Sequence, residues 1–150
     1  MAMLDVAKLN MDEIDAVVLG IGPGSFVGMR IGASVAQGLA FASNIKITPI
    51  SSMETIALEV MLIHSLSEIV VMQNARMNEV YVGEYKICAD GLTEIITPVK
   101  LQTISESISE YSNQKKDIVG IGFSGHYGSI KNMRFNVKLE EGFGYPRASY

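Results

Sequence analysis

The sequence predicts an α/β fold made of two related domains, and three observations carry that expectation. Two apolar runs end in glycines, at residues 15–20 and 117–122, and three strand-like segments follow one another between residues 68 and 101. Continuous apolar runs are the pattern of strands buried on both faces of a parallel sheet, whereas alternating segments joined by turn residues mark neighbouring strands.

Taken in order, Asp15-Ala-Val-Val-Leu-Gly20 gives the first strand. Residues from about 27 to 43 are almost all small or apolar and predict a helix; residues 45–50 alternate like a strand. Ser51 with Glu54 makes a capping box. Met53, Ile56, Ala57, Val60, Met61 and His64 then recur at helical spacing, which predicts a helix over 52–64 with His64 closing its apolar stripe. Strands are expected over 68–73, 79–87 and 92–101, the last two joined by the hairpin pair Asp90-Gly91. A second capping box, Thr103 with Glu106, opens a helix whose stripe is Ile104, Ile108 and Tyr111, and the run at 117–122 follows.

Three strands, a helix and a strand are the opening of a ribonuclease-H-like domain. Residues 1–50 echo the end of another copy that lacks its first three strands. The expected domains are therefore the later part of a first ribonuclease-H-like domain over 1–50, a connecting helix over 51–66, and the earlier part of a second such domain over 67–150. Both sheets are expected to be cut short, at the front of the first and the back of the second. Residues 123–150 are rich in Gly, Ser and Asn and read as loop, with one short strand near 134–139.

Composition narrows the function classes. With 48% apolar residues in 150, the chain can bury a core, and no apolar run approaches a membrane span. Twelve Lys and Arg are scattered among sixteen acids, giving a net charge of −4, which argues against direct nucleic-acid binding by this chain alone. Cys88 is the single cysteine, so no internal disulfide framework exists, in keeping with a cytoplasmic protein.

The segment Gly20-Ile-Gly-Pro-Gly-Ser-Phe-Val-Gly-Met-Arg-Ile-Gly32 sits at a strand end and opens a helix. A glycine-rich loop there suggests anion binding, yet the spacing matches neither the dinucleotide fingerprint nor a P-loop, and a structural turn is the favoured reading. Within the helix, Gly28, Gly32, Ala36 and Ala40 form a small-residue ridge on which another helix could pack closely, or which could pack on the chain's own sheet.

These residues resemble the TsaB (YeaZ-type) family. Gly22-Pro-Gly-Ser-Phe-Val-Gly-Met-Arg-Ile-Gly32 is similar to that family's Gly-Pro-Gly-Ser-Phe-Thr-Gly-Leu-Arg-Ile-Gly, with Val27 and Met29 as departures. Ser51-Ser-Met-Glu54 and Asn74-Ala-Arg-Met-Asn-Glu-Val-Tyr81 resemble its Ser-Ser-Leu-Glu and Asp-Ala-Arg-x-x-Glu-Val-Tyr, and Pro146-Arg-Ala148 falls where the family has a comparable element. The residues that carry the match are Gly22, Pro23, Gly24, Ser25, Phe26, Arg30, Arg76, Glu79 and Tyr81.

The resemblance implies an actin-like (ASKHA) fold of two ribonuclease-H-like domains. It further implies a non-catalytic scaffold in making threonylcarbamoyladenosine on tRNA. Such a subunit pairs with a TsaD-like catalytic subunit, with a TsaE-like ATPase as a further partner the resemblance allows, and as a homodimer when alone. ATP and metal then belong to the catalytic partner, tRNA is met only through the complex, and this chain holds no cofactor. The expected interface is the helix at 27–43, through Gly28, Met29, Gly32, Ala33, Ala36, Leu39 and Ala40.

The alternatives are a glycoprotease-like peptidase or hydrolase and a nucleotide-binding ASKHA protein. His64 and His126 are the only histidines and form no metal-binding pair. Asn74 stands where the family usually has Asp, leaving Arg76 and Glu79 as structural or interfacial residues. Lys131, Arg134 and Lys138 interleave with Phe135 in a faint RNA-contact pattern, but Glu140 and Glu141 follow at once.

Overall fold

The two glycine-ended runs both become parallel strands, in different sheets. The computed structural model describes residues 2–123. Two compact units are present, Met1–Ser52 and Met53–Tyr150. The expected histidine at 126, the strand over 134–139, the Lys131–Glu141 segment and Pro146–Ala148 lie outside the described residues.

In the first unit, α1 (Ala2–Ala7) and a 3-10 turn (Met11–Glu13) precede β1 (Ala16–Gly20), α2 (Phe26–Ser43) and β2 (Lys46–Ile50). Sequence periodicity gave no sign of α1. β1 and β2 pair in parallel, Ala16 opposite Lys46 and Gly20 opposite Ile50, as a strand, helix, strand unit should. Among the described residues β1 lies in a two-stranded sheet and is covered on one face only, in line with the expectation that the first sheet is cut short. Val17 and Leu19 are half-buried while Val18 is 65% exposed. The reason is local: among the described residues α2 covers one face of this pair, with Gly32 set over the Leu19 side chain. Asn44, in the left-handed region at φ 53°, ends α2, and the Ile45 N–H returns to the Ala40 carbonyl at 3.1 Å.

The second unit has a four-stranded sheet in the order β5-β4-β3-β6, with β3 (Glu68–Arg76), β4 (Glu79–Ile87), β5 (Thr93–Thr103) and β6 (Ile118–Ile121). β3, β4 and β5 are antiparallel neighbours, and β6 returns parallel beside β3, with Val71 opposite Val119. This is the ribonuclease-H-like opening expected from the sequence.

Period-two alternation along β3 divides its side chains between two cores. Ile69 and Val71 pack with Tyr85, Val119 and Ile121 against α3 (Ser52–His64), whose Met53, Ile56, Ala57, Val60 and Met61 are buried. Val70 and Met72 pack on the other face with Val80, Val82 and Ile118 against Ile104 and Tyr111 of α4 (Ile104–Tyr111). Each such side chain contributes about 1.5–3 kcal/mol on burial. α3, placed by sequence between the domains, therefore supplies one wall of this core.

His64 does not close the stripe of α3, because it is exposed. Ser65 turns left-handed at φ 54°, the Leu66 N–H bonds the Met61 carbonyl at 2.9 Å, and Leu66 packs on the core where the histidine was expected. That is the hydrophobic contact that accompanies such a helix end. At α4 the capping box forms as read: Thr103 Oγ1 accepts from the Glu106 N–H at 3.2 Å and the Glu106 carboxylate accepts from the Thr103 N–H at 2.8 Å.

Candidate functional site

The glycine-rich segment is a turn tied to the second sequence motif. After β1 the Ile21 N–H donates to the Ile50 carbonyl at 2.9 Å, and the chain reverses at Gly22, whose φ is +89°. The Gly22 carbonyl then accepts from the Ser52 N–H at 2.9 Å and from the Ser51 hydroxyl at 3.4 Å. The start of Gly22-Pro-Gly-Ser and the start of Ser51-Ser-Met-Glu are thus bonded to each other. Of the two residues read as a capping box, Ser51 bonds Gly22, and Glu54 Oε1 accepts from the Thr93 hydroxyl at 2.7 Å.

Gly22 is required twice over. Its φ suits glycine, and a Cβ there would lie 2.5 Å from Met29 Sδ and 3.2 Å from the Gly24 nitrogen. The Gly22–Pro23 peptide is cis. Ser25 caps α2, its Oγ accepting from the Gly28 N–H at 3.3 Å. The Arg30 guanidinium lies over the Phe26 ring, 3.8 Å from its centroid, and Phe26 is exposed. Gly22, Ser25, Ser51 and Ser52 spend these polar groups on holding β1, α2 and the start of α3 in place, which is the work of a structural turn.

α2 has two unlike faces. Ala36 is buried, Gly32, Ala33 and Ala40 are half-buried, and a Cβ on Gly32 would meet Leu19 of β1 at 3.7 Å. The Gly32-Ala36-Ala40 stretch of the ridge therefore packs on the chain's own sheet, the second of the two readings open from sequence. Met29 is turned to the motif turn, with its sulfur beside Gly22 and Gly24. Gly28 is exposed at the helix start, and Leu39, 38% exposed, lies at the margin.

The outward face carries other residues: Val27, Ile31 and Val35 are 55–63% exposed, Phe41 is 93% exposed, and an added Cβ at Gly38 would meet nothing within 4 Å. Helical spacing puts Ser34, Gly38 and Ala42 in a row beside Ile31 and Val35, so this side too allows close approach by another helix. Sequence reading found a small ridge but chose the inward one, because two rows of small residues spaced four apart, one of four residues and one of three, coexist in this helix. Only the neighbour on each side separates them.

The remaining motif residues meet at the carboxyl ends of β3 and β6. Asn74 Oδ1 accepts from the Arg76 N–H at 2.7 Å, and its amide donates to the Gly122 carbonyl at 2.9 Å, joining the two strand ends. Arg76, Met77 and Asn78 all lie in the left-handed region, at φ 68°, 47° and 66°, and make the tight β3–β4 turn. Arg76 and Glu79 are opposed in register, but among the described residues the side-chain ion pairs are others: Lys86 with Glu94, Lys100 with Glu110 and Lys116 with Glu84. Tyr81 is half-buried against the α3-side core. An amide in place of a carboxylate at residue 74 suits this role, since both of its groups are used, one as acceptor and one as donor.

Two polar clusters were not anticipated. Glu84 is buried and accepts from the Tyr111 hydroxyl at 2.7 Å and from Lys116 Nζ, binding β4 to α4 and to the loop before β6. Burial, then the Glu84 hydrogen bond, pushes the Tyr111 phenol far above its ordinary range. At the β4–β5 hairpin the Cys88 thiol hydrogen-bonds Glu94 at 3.4 Å, which raises its pKa, so this thiol is held away from the reactive thiolate form. A side-chain acceptor 27 positions from its donor leaves no periodic signal, which is why the first cluster was invisible in the sequence. Among the described residues no three His, Cys, Asp or Glu side chains are grouped to hold a metal ion, and no helix is long and apolar enough to cross a membrane.

Residues 1–125 match the family model described as TsaD: tRNA N6-adenosine threonylcarbamoyltransferase. Over 76 residues the chain is 42% identical to the tRNA threonylcarbamoyladenosine biosynthesis protein TsaB of Haemophilus influenzae, covering 51% of this chain and 32% of that protein. The chain belongs to the TsaB (YeaZ-type) family. To the TsaB of Bacillus subtilis this TsaB-type chain is 29% identical over 143 residues, 95% of its own length and 60% of the relative's. A solved structure from Pseudomonas aeruginosa, described as an uncharacterized protein with similarity to peptidase YEAZ, superposes with a TM-score of 0.72 at 27% identity, over 89% of this chain and 60% of that one. Its fold is the actin-like one that the TsaB resemblance implied. The chain thus spans between 32% and 60% of the length of these relatives.

Proposed function

We propose that this TsaB-type chain serves tRNA threonylcarbamoyladenosine biosynthesis as a non-catalytic subunit, docking a TsaD-like catalytic subunit on the outward face of α2. The observation that carries the reading is that face: Val27, Ile31 and Val35 stand exposed on a helix whose opposite side is fixed to its own sheet. Neighbouring apolar side chains exposed on a rigid element mark an interaction surface more often than chance decoration. The names of the relatives supply the pathway, and the structural use of the motif turn supports a scaffold rather than a reaction centre.

On this reading the same face closes a homodimer when the chain is alone, since one apolar helix face can meet its own copy or a partner helix in turn. ATP, metal and tRNA are then engaged through the complex, in the cytoplasm, and a TsaE-like ATPase joins the assembled pair. The test is co-elution with a bacterial TsaD protein in size-exclusion chromatography with light scattering. The expected result is a 1:1 complex at micromolar concentration. Two separate peaks at concentrations up to about 100 μM, where a complex of even modest affinity forms, would remove the docking role.

A further inference from the structure

We draw no further inference here: the strongest candidate, the crevice of about 290 Å³ at the amino ends of β3 and β6 lined by Ser65, Ser67, Glu68, Glu84, Lys116 and Asp117, carries charges of both signs whose buried member, Glu84, is already satisfied by Lys116 and Tyr111, so nothing in it selects a class of ligand.

Discussion

Gly22 and Tyr111 are the residues whose chemistry is most tightly constrained. At φ +89°, with Met29 Sδ where a Cβ would go, Gly22 leaves an alanine no relaxed position. Gly22→Ala is expected to destabilise the unit by about 1–3 kcal/mol, the usual cost of holding a non-glycine residue in a sparsely populated backbone region. A lowered urea midpoint with an unchanged slope would show it; an unchanged midpoint would mean the turn relaxes freely. Tyr111 gives a pH dependence whose sign is fixed. Its pKa is raised in the folded state by burial and by Glu84, so its contribution is fully present below the ordinary phenol value of 10.0 and is lost as pH rises above that value. The wild type should lose stability in alkaline solution above about pH 10, and Tyr111→Phe should show a flatter curve there, read by denaturant unfolding at stepped pH.

At the scale of elements, the sequence was most legible where a period or a cap was at work. The Thr103–Glu106 box marked the start of α4, and the helical spacing of Met53, Ile56, Ala57, Val60 and Met61 marked the buried face of α3, because periodicity and capping are local properties of the chain. It was least legible where a distant neighbour decides. His64 reads as the end of a stripe that Leu66 completes through a left-handed Ser65. The α2 ridge belongs to the same class: composition marks small residues without saying which row meets β1.

That distinction makes a prediction at the element scale. Ala36 is buried against the first unit's own sheet, so Ala36→Arg forces an unpaired charge into that contact. A loss of several kcal/mol is expected, on the order of a broken buried pair. Far-ultraviolet circular dichroism and thermal melting should show the first unit loosened. A variant that melts like wild type would place Ala36 on a free surface after all.

At the scale of the molecule, the first unit carries α2 with its exposed apolar outward face, and the second unit builds a three-layer core with α3 and α4 on opposite faces of its sheet. The family motifs divide between them: Gly22 to Arg30 and Ser51 shape the support of α2, while Asn74 joins the ends of β3 and β6 and Arg76 to Asn78 form the β3–β4 turn. In neither place do the described side chains assemble a metal-binding group, and in each a motif side chain, Ser51 or Asn74, bonds a backbone carbonyl, of Gly22 or Gly122. The proposed docking role rests on the outward face of α2, where Val27, Ile31 and Val35 are exposed.

The most direct measurement of that claim is titration calorimetry of a TsaD protein with wild type and with Val35→Arg, checked for folding by circular dichroism. Val35 is 55% exposed, so arginine there should leave the fold intact while placing a charge in the centre of the contact. The expected result is an unchanged melting curve and an affinity lower by about 100-fold or more, equivalent to roughly 3 kcal/mol. A folded Val35→Arg protein that binds TsaD at wild-type affinity would contradict the assignment and place the interface elsewhere.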